Sequence, residues 1–264
     1  MCELFAMSSK VETSVSFSLA EFGQHGGNTD IHGDGWGLAT YEGKIASVYR
    51  EDEPAAFSQK LKFIQAHPFK THCVISHIRR ATVGEVALRN TQPFVRHING
   101  RSHVFAHNGD LAAIEDKSIM NGCVLEGETD SERAFCYLIS SLAPLWEAGT
   151  PSLQDRSALV DKIFTELAEL GIANFLYSDG DYLYAFANKR NQLNGNIEPP
   201  GMYFLERQCR CDSKALKSAG VDINCDPQQV FLFASVPLTD EQWQPLAQCK
   251  LLVVENGDLK SGYS

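Results

Sequence analysis

The chain has 264 residues, 44% hydrophobic and 21% charged, enough for a substantial buried core with no need of a disulfide or metal staple. Its net charge of −10 argues against non-specific attraction to nucleic acid or to an anionic membrane surface. No apolar run approaches the ~20 residues of a membrane span, and the N-terminus lacks a signal-peptide pattern, so a cytoplasmic protein is expected.

The chain opens Met1-Cys2-Glu3-Leu4-Phe5, a thiol running straight into apolar residues, and is read as a buried first strand. "GWGLATYEGKIASVYR" alternates about Glu42-Gly43 and predicts a β-hairpin. Residues near Ala55–Gln65 are expected to be helical. "THCVISHIRR" and "RSHVFAHNGD" each read as a short buried strand with a polar end. Thr129 and Glu132 have capping-box spacing. Behind them Ala134, Phe135, Leu138, Ile139, Leu142 and Leu145 recur at helical intervals. A further helix is expected from about Leu153 to Leu170, stopped by Gly171. "NFLYSDGDYLYAFAN" predicts a second hairpin about Asp179-Gly180, and "GMYFLER", "QVFLFASVP" and "KLLVVENG" predict three more strands. Many hairpins and few helices give an α+β fold rather than a doubly wound parallel sheet.

Eight cysteines contain no CxxC pair, and most are expected to be free, buried thiols. Cys209, Cys211 and Cys225 could be metal ligands by proximity, but no histidine follows His107, so loop thiols and no metal are expected. There is no Gly-rich phosphate loop, hence no nucleotide and no cofactor is expected.

Five places can carry chemistry, and each has a plain structural alternative. With Met1 removed, Cys2 would hold a thiol and a free α-amine, whose reference pKa near 8 suits it to act as the thiol's own base. Otherwise Cys2 is a small apolar residue opening a strand. Arg79 and Thr82 follow a strand on a Gly-containing turn, where guanidinium and hydroxyl could capture a carboxylate; a solvated basic turn is the alternative. Asn108-Gly109 could aim an amide and a backbone N–H at an oxyanion, or simply make a turn. Asp130 lies in the first turn of a helix, whose dipole favours its charge; it could pair with an ammonium or only cap. Trp36 and Gly37 could wall a pocket, or Trp36 could be core.

Taken in order, Cys2, "GDGWGLA", "SHIRRATVG", "NTQPF", "AHNGDL" and "GETDSE" resemble the class II glutamine amidotransferase domain of the N-terminal-nucleophile (Ntn) hydrolases. "MCELF", "GDGWG" and "NTQPF" look like its stand-alone YafJ-type subgroup. The resemblance implies a four-layer αββα sandwich with two antiparallel sheets, as one domain over residues 1–264. It implies Cys2 as nucleophile and Asn108 and Gly109 as oxyanion hole. Arg79 and Thr82 would then hold the substrate α-carboxylate, Asp130 its α-ammonium, and Trp36 and Gly37 would lie at the pocket. Where longer family members carry Trp, Tyr or Pro, this chain has Arg80 and Ala81.

The implied activity is hydrolysis of the γ-amide of glutamine or a γ-glutamyl compound. The alternatives are a glutaminase subunit serving a separate synthase partner and a non-catalytic amino-acid-binding protein. An Ntn amidase of the bile-salt or penicillin acylase kind is disfavoured by "HNG" and "ETDSE".

Overall fold

The computed structural model describes residues 2–14, 22–29, 32–67, 69–117, 123–192, 194–209 and 228–262. In chain order the elements are β1 (Glu3–Ser14), β2 (Trp36–Glu42), β3 (Ile45–Glu51), α1 (Gln59–Ala66), β4 (Lys70–Ile78), β5 (Phe94–Ile98) and β6 (Arg101–Leu111). Then follow α2 (Asp130–Glu147), α3 (Leu153–Ala168), β7 (Gly171–Ser178), β8 (Leu183–Ala187), β9 (Arg190–Asn191) and β10 (Ile197–Glu198). The last are β11 (Tyr203–Cys209), β12 (Gln228–Ala234), β13 (Gln244–Pro245), β14 (Lys250–Glu255) and β15 (Asp258–Ser261).

Two antiparallel sheets dominate: seven strands in the order β13-β11-β12-β1-β4-β2-β3 and six in the order β15-β14-β8-β7-β6-β5. Leu4, Ala6, Ile75, Val104, Ala106, Leu176 and Phe233 fill the space between them. Leu61 and Ile64 of α1 pack with Phe5, Met7 and Val74 on the outer face of the seven-stranded sheet. Phe135, Leu138, Leu142 and Trp146 of α2, with Val160, Ile163 and Phe164 of α3, cover the outer face of the other. The result is the expected αββα sandwich. Covering both faces explains why β1 is buried from Glu3 to Ser9 without alternation. Each large side chain buried this way contributes roughly 1.5–3 kcal/mol.

Local signals resolve in instructive ways. Both hairpins form, with Gly43 and Gly180 at positive φ in their turns. Thr129 caps α2 by accepting from the Glu132 N–H at 3.2 Å. Glu132 does not return the bond. Its buried carboxylate accepts from Glu126 N–H at 3.0 Å and Gly127 N–H at 2.7 Å, anchoring the segment before the helix. Near Ala55–Gln65 a short 3₁₀ turn, Ala55–Phe57, precedes α1, which Ser58 caps. α3 ends at Ala168, and Gly171 is already the first residue of β7, paired with Leu111.

Of the five cysteines whose side chains are described, three are free thiols and two are paired. Cys123 and Cys136 form a disulfide between the segment entering α2 and the helix itself. Cys2, Cys73 and Cys249 are free, Cys249 being exposed. Cys211, Cys225 and the side chain of Cys209 lie outside the described residues. Among the described residues no helix is long and apolar enough to cross a membrane.

Candidate active site

Cys2 sits at the head of β1, where Glu3 pairs with Ile78 of β4. Its Sγ accepts the Arg80 N–H at 3.3 Å and lies 3.4 Å from the Arg80 carbonyl. Burial raises the thiol pKa above the ordinary cysteine value; the Arg80 N–H and the Arg79 charge pull it down, and Asp130 pushes it up. Arg79 and Asp130, 51 positions apart in sequence, therefore both lie within electrostatic reach of the one thiol.

Arg79 is 3% exposed, and its guanidinium donates to the carbonyls of Val83, Gly84 and Glu85 at 3.1, 3.3 and 3.0 Å. Of its five donor hydrogens, three are used on this loop. Thr82 is exposed on the same loop. Asp130, half-buried at the start of α2, accepts from the Leu111 N–H at 2.9 Å and the Ser131 N–H at 2.8 Å. It lines a cleft of about 230 Å³ together with Val83, Leu111, Gly127 and Glu128. Cys2 is not among the residues lining that cleft.

Asn108 is fully buried near the end of β6. Its side-chain nitrogen lies 3.1 Å from Ser235 Oγ, and the Leu4 N–H donates to the same oxygen at 3.0 Å. Ser235 thus ties Asn108 to β1 two residues beyond Cys2. Gly109 follows, and a Cβ there would stand 1.7 Å from the Ile172 carbonyl oxygen, so no other residue fits this approach of β6 to β7. Trp36 lies in the outer core with Phe5 and Ile78, its indole N–H donating to Glu51 at 3.1 Å. A Cβ on Gly37 would stand 2.2 Å from the Gln92 carbonyl, so its glycine serves close backbone packing.

The family model for class-II glutamine amidotransferases matches residues 1–263. The chain belongs to the class II glutamine amidotransferases. It is 35% identical over 253 residues to the candidate glutamine amidotransferase YafJ of Escherichia coli, covering 93% of this chain and 94% of that one. A candidate glutamine amidotransferase of Haemophilus influenzae is 32% identical, covering 98% and 85%. The crystal structure of one from Pseudomonas aeruginosa superposes with a TM-score of 0.71 at 27% identity, over 98% of this chain and 100% of that chain. Glutamine phosphoribosylpyrophosphate amidotransferase from B. subtilis shares the fold at 17% identity and TM-score 0.62, over 98% of this chain and 48% of its own.

Within this class II amidotransferase fold, several residues that support the site carry no chemistry of their own. Asp34 accepts the Ala81 N–H at 2.8 Å, while main-chain bonds join Asp34 to Arg79 and Arg79 to Gly35, so "GDGWG" holds the turn after β4. Asn90 donates to Glu128 at 2.6 Å and accepts the Glu128 N–H at 3.0 Å. Gln92 bonds both main-chain groups of His107. "NTQPF", which has no chemical role by inspection, therefore braces "GETDSE" with one residue and "AHNGDL" with another. His107 completes the frame. Its Nε2 lies 3.1 Å from the Ile172 carbonyl and its Nδ1 2.9 Å from Ser131 Oγ. Burial lowers its pKa, favouring neutral imidazole. A carbonyl only accepts, so Nε2 carries the proton and Nδ1 accepts from Ser131.

Proposed function

We propose that the protein hydrolyses the γ-amide of glutamine or of a γ-glutamyl compound through Cys2, and that residues 1–264 form one domain of this type. The observation that carries this reading is that the charges of a buried guanidinium, Arg79, and a helix-start carboxylate, Asp130, both act on the Cys2 thiol. Groups of opposite charge acting on one nucleophile suit the two ends of an α-amino acid. Arg79, with Thr82, would take the α-carboxylate through its remaining donors, and Asp130 the α-ammonium. Fixing both ends holds the side-chain amide over Cys2 and lowers the entropic barrier to attack.

The raised thiol pKa means that attack needs a proton acceptor. With Met1 removed, the α-amine of Cys2 fills that role. Sulfur adds to the amide carbon, and the oxyanion is held by Asn108 and the Gly109 N–H. The C–N bond then breaks as the amine's proton passes to the leaving nitrogen. Water next adds to the γ-glutamyl thioester, releasing glutamate and restoring the thiol. The test is glutamate release from glutamine and from a panel of γ-glutamyl amides, using protein whose free Cys2 terminus is verified by mass spectrometry. Release should vanish in Cys2→Ala and in protein retaining Met1. Release unaffected by Cys2→Ala overturns the mechanism.

A further inference from the structure

Asn108 Oδ1 is buried with no hydrogen-bond partner among the described residues, while its Nδ2 faces Ser235 Oγ at 3.1 Å. Ser235 is itself fully buried. Its Oγ already accepts the Leu4 N–H at 3.0 Å, and its main-chain N–H donates to the Leu4 carbonyl at 3.0 Å. With Nδ2 toward it, Ser235 accepts two bonds and its own hydroxyl hydrogen meets no acceptor among the described residues. Two buried polar groups then go unpaired, which is unfavourable away from water.

Turning the Asn108 amide by 180° gives both the amide oxygen and the Ser235 hydroxyl hydrogen a partner, and leaves the unmet need on the –NH₂ hydrogens, which an oxyanion would take. The two ends of an amide are nearly the same in shape, and only the bonding network tells them apart. The Ser235 hydroxyl then accepts from Leu4 and donates to Asn108 Oδ1. The –NH₂ group takes the place of the unpartnered oxygen, with both hydrogens free.

We infer that Ser235 is a positioning residue which, by donating to Asn108 Oδ1, points the Asn108 –NH₂ toward the reacting carbonyl. This rests on the proposed amide hydrolysis for its catalytic meaning, but the orientation itself does not. The Asn108 main chain is held independently, since Asn174 Nδ2 donates to its carbonyl at 2.8 Å. Ser235 therefore acts on the side chain. It also couples that amide to Leu4, so the oxyanion donor and the nucleophile's strand share one hydroxyl. Ser235 lies in "FASVP", in the half of the chain without recognised motifs.

Two experiments test this. Neutron diffraction from deuterated wild-type crystals separates nitrogen from oxygen directly. Oxygen facing Ser235 is expected, and nitrogen facing Ser235 overturns the inference whether or not the protein is active. In kinetics, Ser235→Ala should lower kcat by at least about tenfold with KM nearly unchanged, short of the ~10²–10³ expected of losing the donor in Asn108→Ala. Ser235→Thr should restore most of it. The Ser235→Ala, Asn108→Ala double variant should be no slower than Asn108→Ala alone, because both act through one donor. Full additivity, or a wild-type kcat in folded Ser235→Ala, would overturn the role while leaving hydrolysis by Cys2 intact. Loss of the hydrolytic reading itself would show instead as wild-type protein releasing no glutamate.

Discussion

Gln92 presents both ends of its side-chain amide to the main chain of His107, accepting the N–H at 2.6 Å and donating to the carbonyl at 3.2 Å. β5 pairs with β6 only from Ile98↔Arg101 to Phe94↔Phe105, so the ladder on that edge stops two residues short of His107. One glutamine extends it. The extension holds β6 in place up to Asn108 and Gly109, and the oxyanion role proposed for them needs a defined direction.

Replacing Gln92 by Met keeps the volume and removes both bonds. His107 is 1% exposed, so its N–H and C=O cannot turn to water instead. Each unpaired group costs about 1–3 kcal/mol. Gln92→Met should therefore lower the urea-unfolding free energy by at least about 1 kcal/mol and reduce kcat more than it raises KM. Unchanged stability together with unchanged kcat would show that the bracing is unimportant.

Gly109→Ala should be far more damaging than its size suggests. The new methyl would stand 1.7 Å from the Ile172 oxygen and 2.5 Å from His107 Nε2, so β6 and β7 must part there. The Gly109 N–H would move with them, and a loss of about 10²-fold or more in kcat is expected. Gly100 serves as the control. It sits at φ 71, a Cβ added to it would meet nothing within 4 Å, and asparagine tolerates that backbone. Gly100→Asn should stay within about 0.5 kcal/mol of wild type with full activity. Thermal melts and steady-state assays of the two variants side by side make the comparison.

Much of this architecture is legible in the sequence because its signals are local. Alternation about Glu42-Gly43 and Asp179-Gly180 needs only neighbouring residues, and so does the Thr129 cap. Trp146, rather than Leu145, takes the last buried place on α2, since the next turn after Leu142 falls four residues on. β5 and β15 are short outer strands, and the two-residue β9, β10 and β13 are too brief to show a period. The braces are invisible for a different reason. Gln92 reaches His107 across 15 positions and Ser235 reaches Asn108 across 127, through side-chain contacts that no spacing encodes. The disulfide is equally hidden, because pairing follows from Cys123 lying against α2, which only the folded chain brings about. Motif residues with chemical groups announce themselves; the residues that aim them do not.

Stability should fall as the solution becomes mildly acidic, and two buried histidines give the sign. His77 is completely buried, and burial, followed by the charge of Arg79 and the neighbouring His107 and His32, lowers its pKa to about 3. Burial likewise lowers His103 to about 4. Both would titrate near 6.5 in the unfolded chain. Above that pH each is neutral in both states and folding carries no penalty from them. Between about pH 6.5 and pH 4 the unfolded chain binds protons that the folded one refuses, so stability drops with falling pH. Each histidine contributes a slope of up to about 1.4 kcal/mol per pH unit in that window. Urea-unfolding free energies at pH 7, 6 and 5 should decline accordingly, and His77→Gln should flatten the decline because glutamine takes no proton. A variant slope as steep as that of the wild type would mean that His77 accepts its proton in the folded protein at ordinary pH.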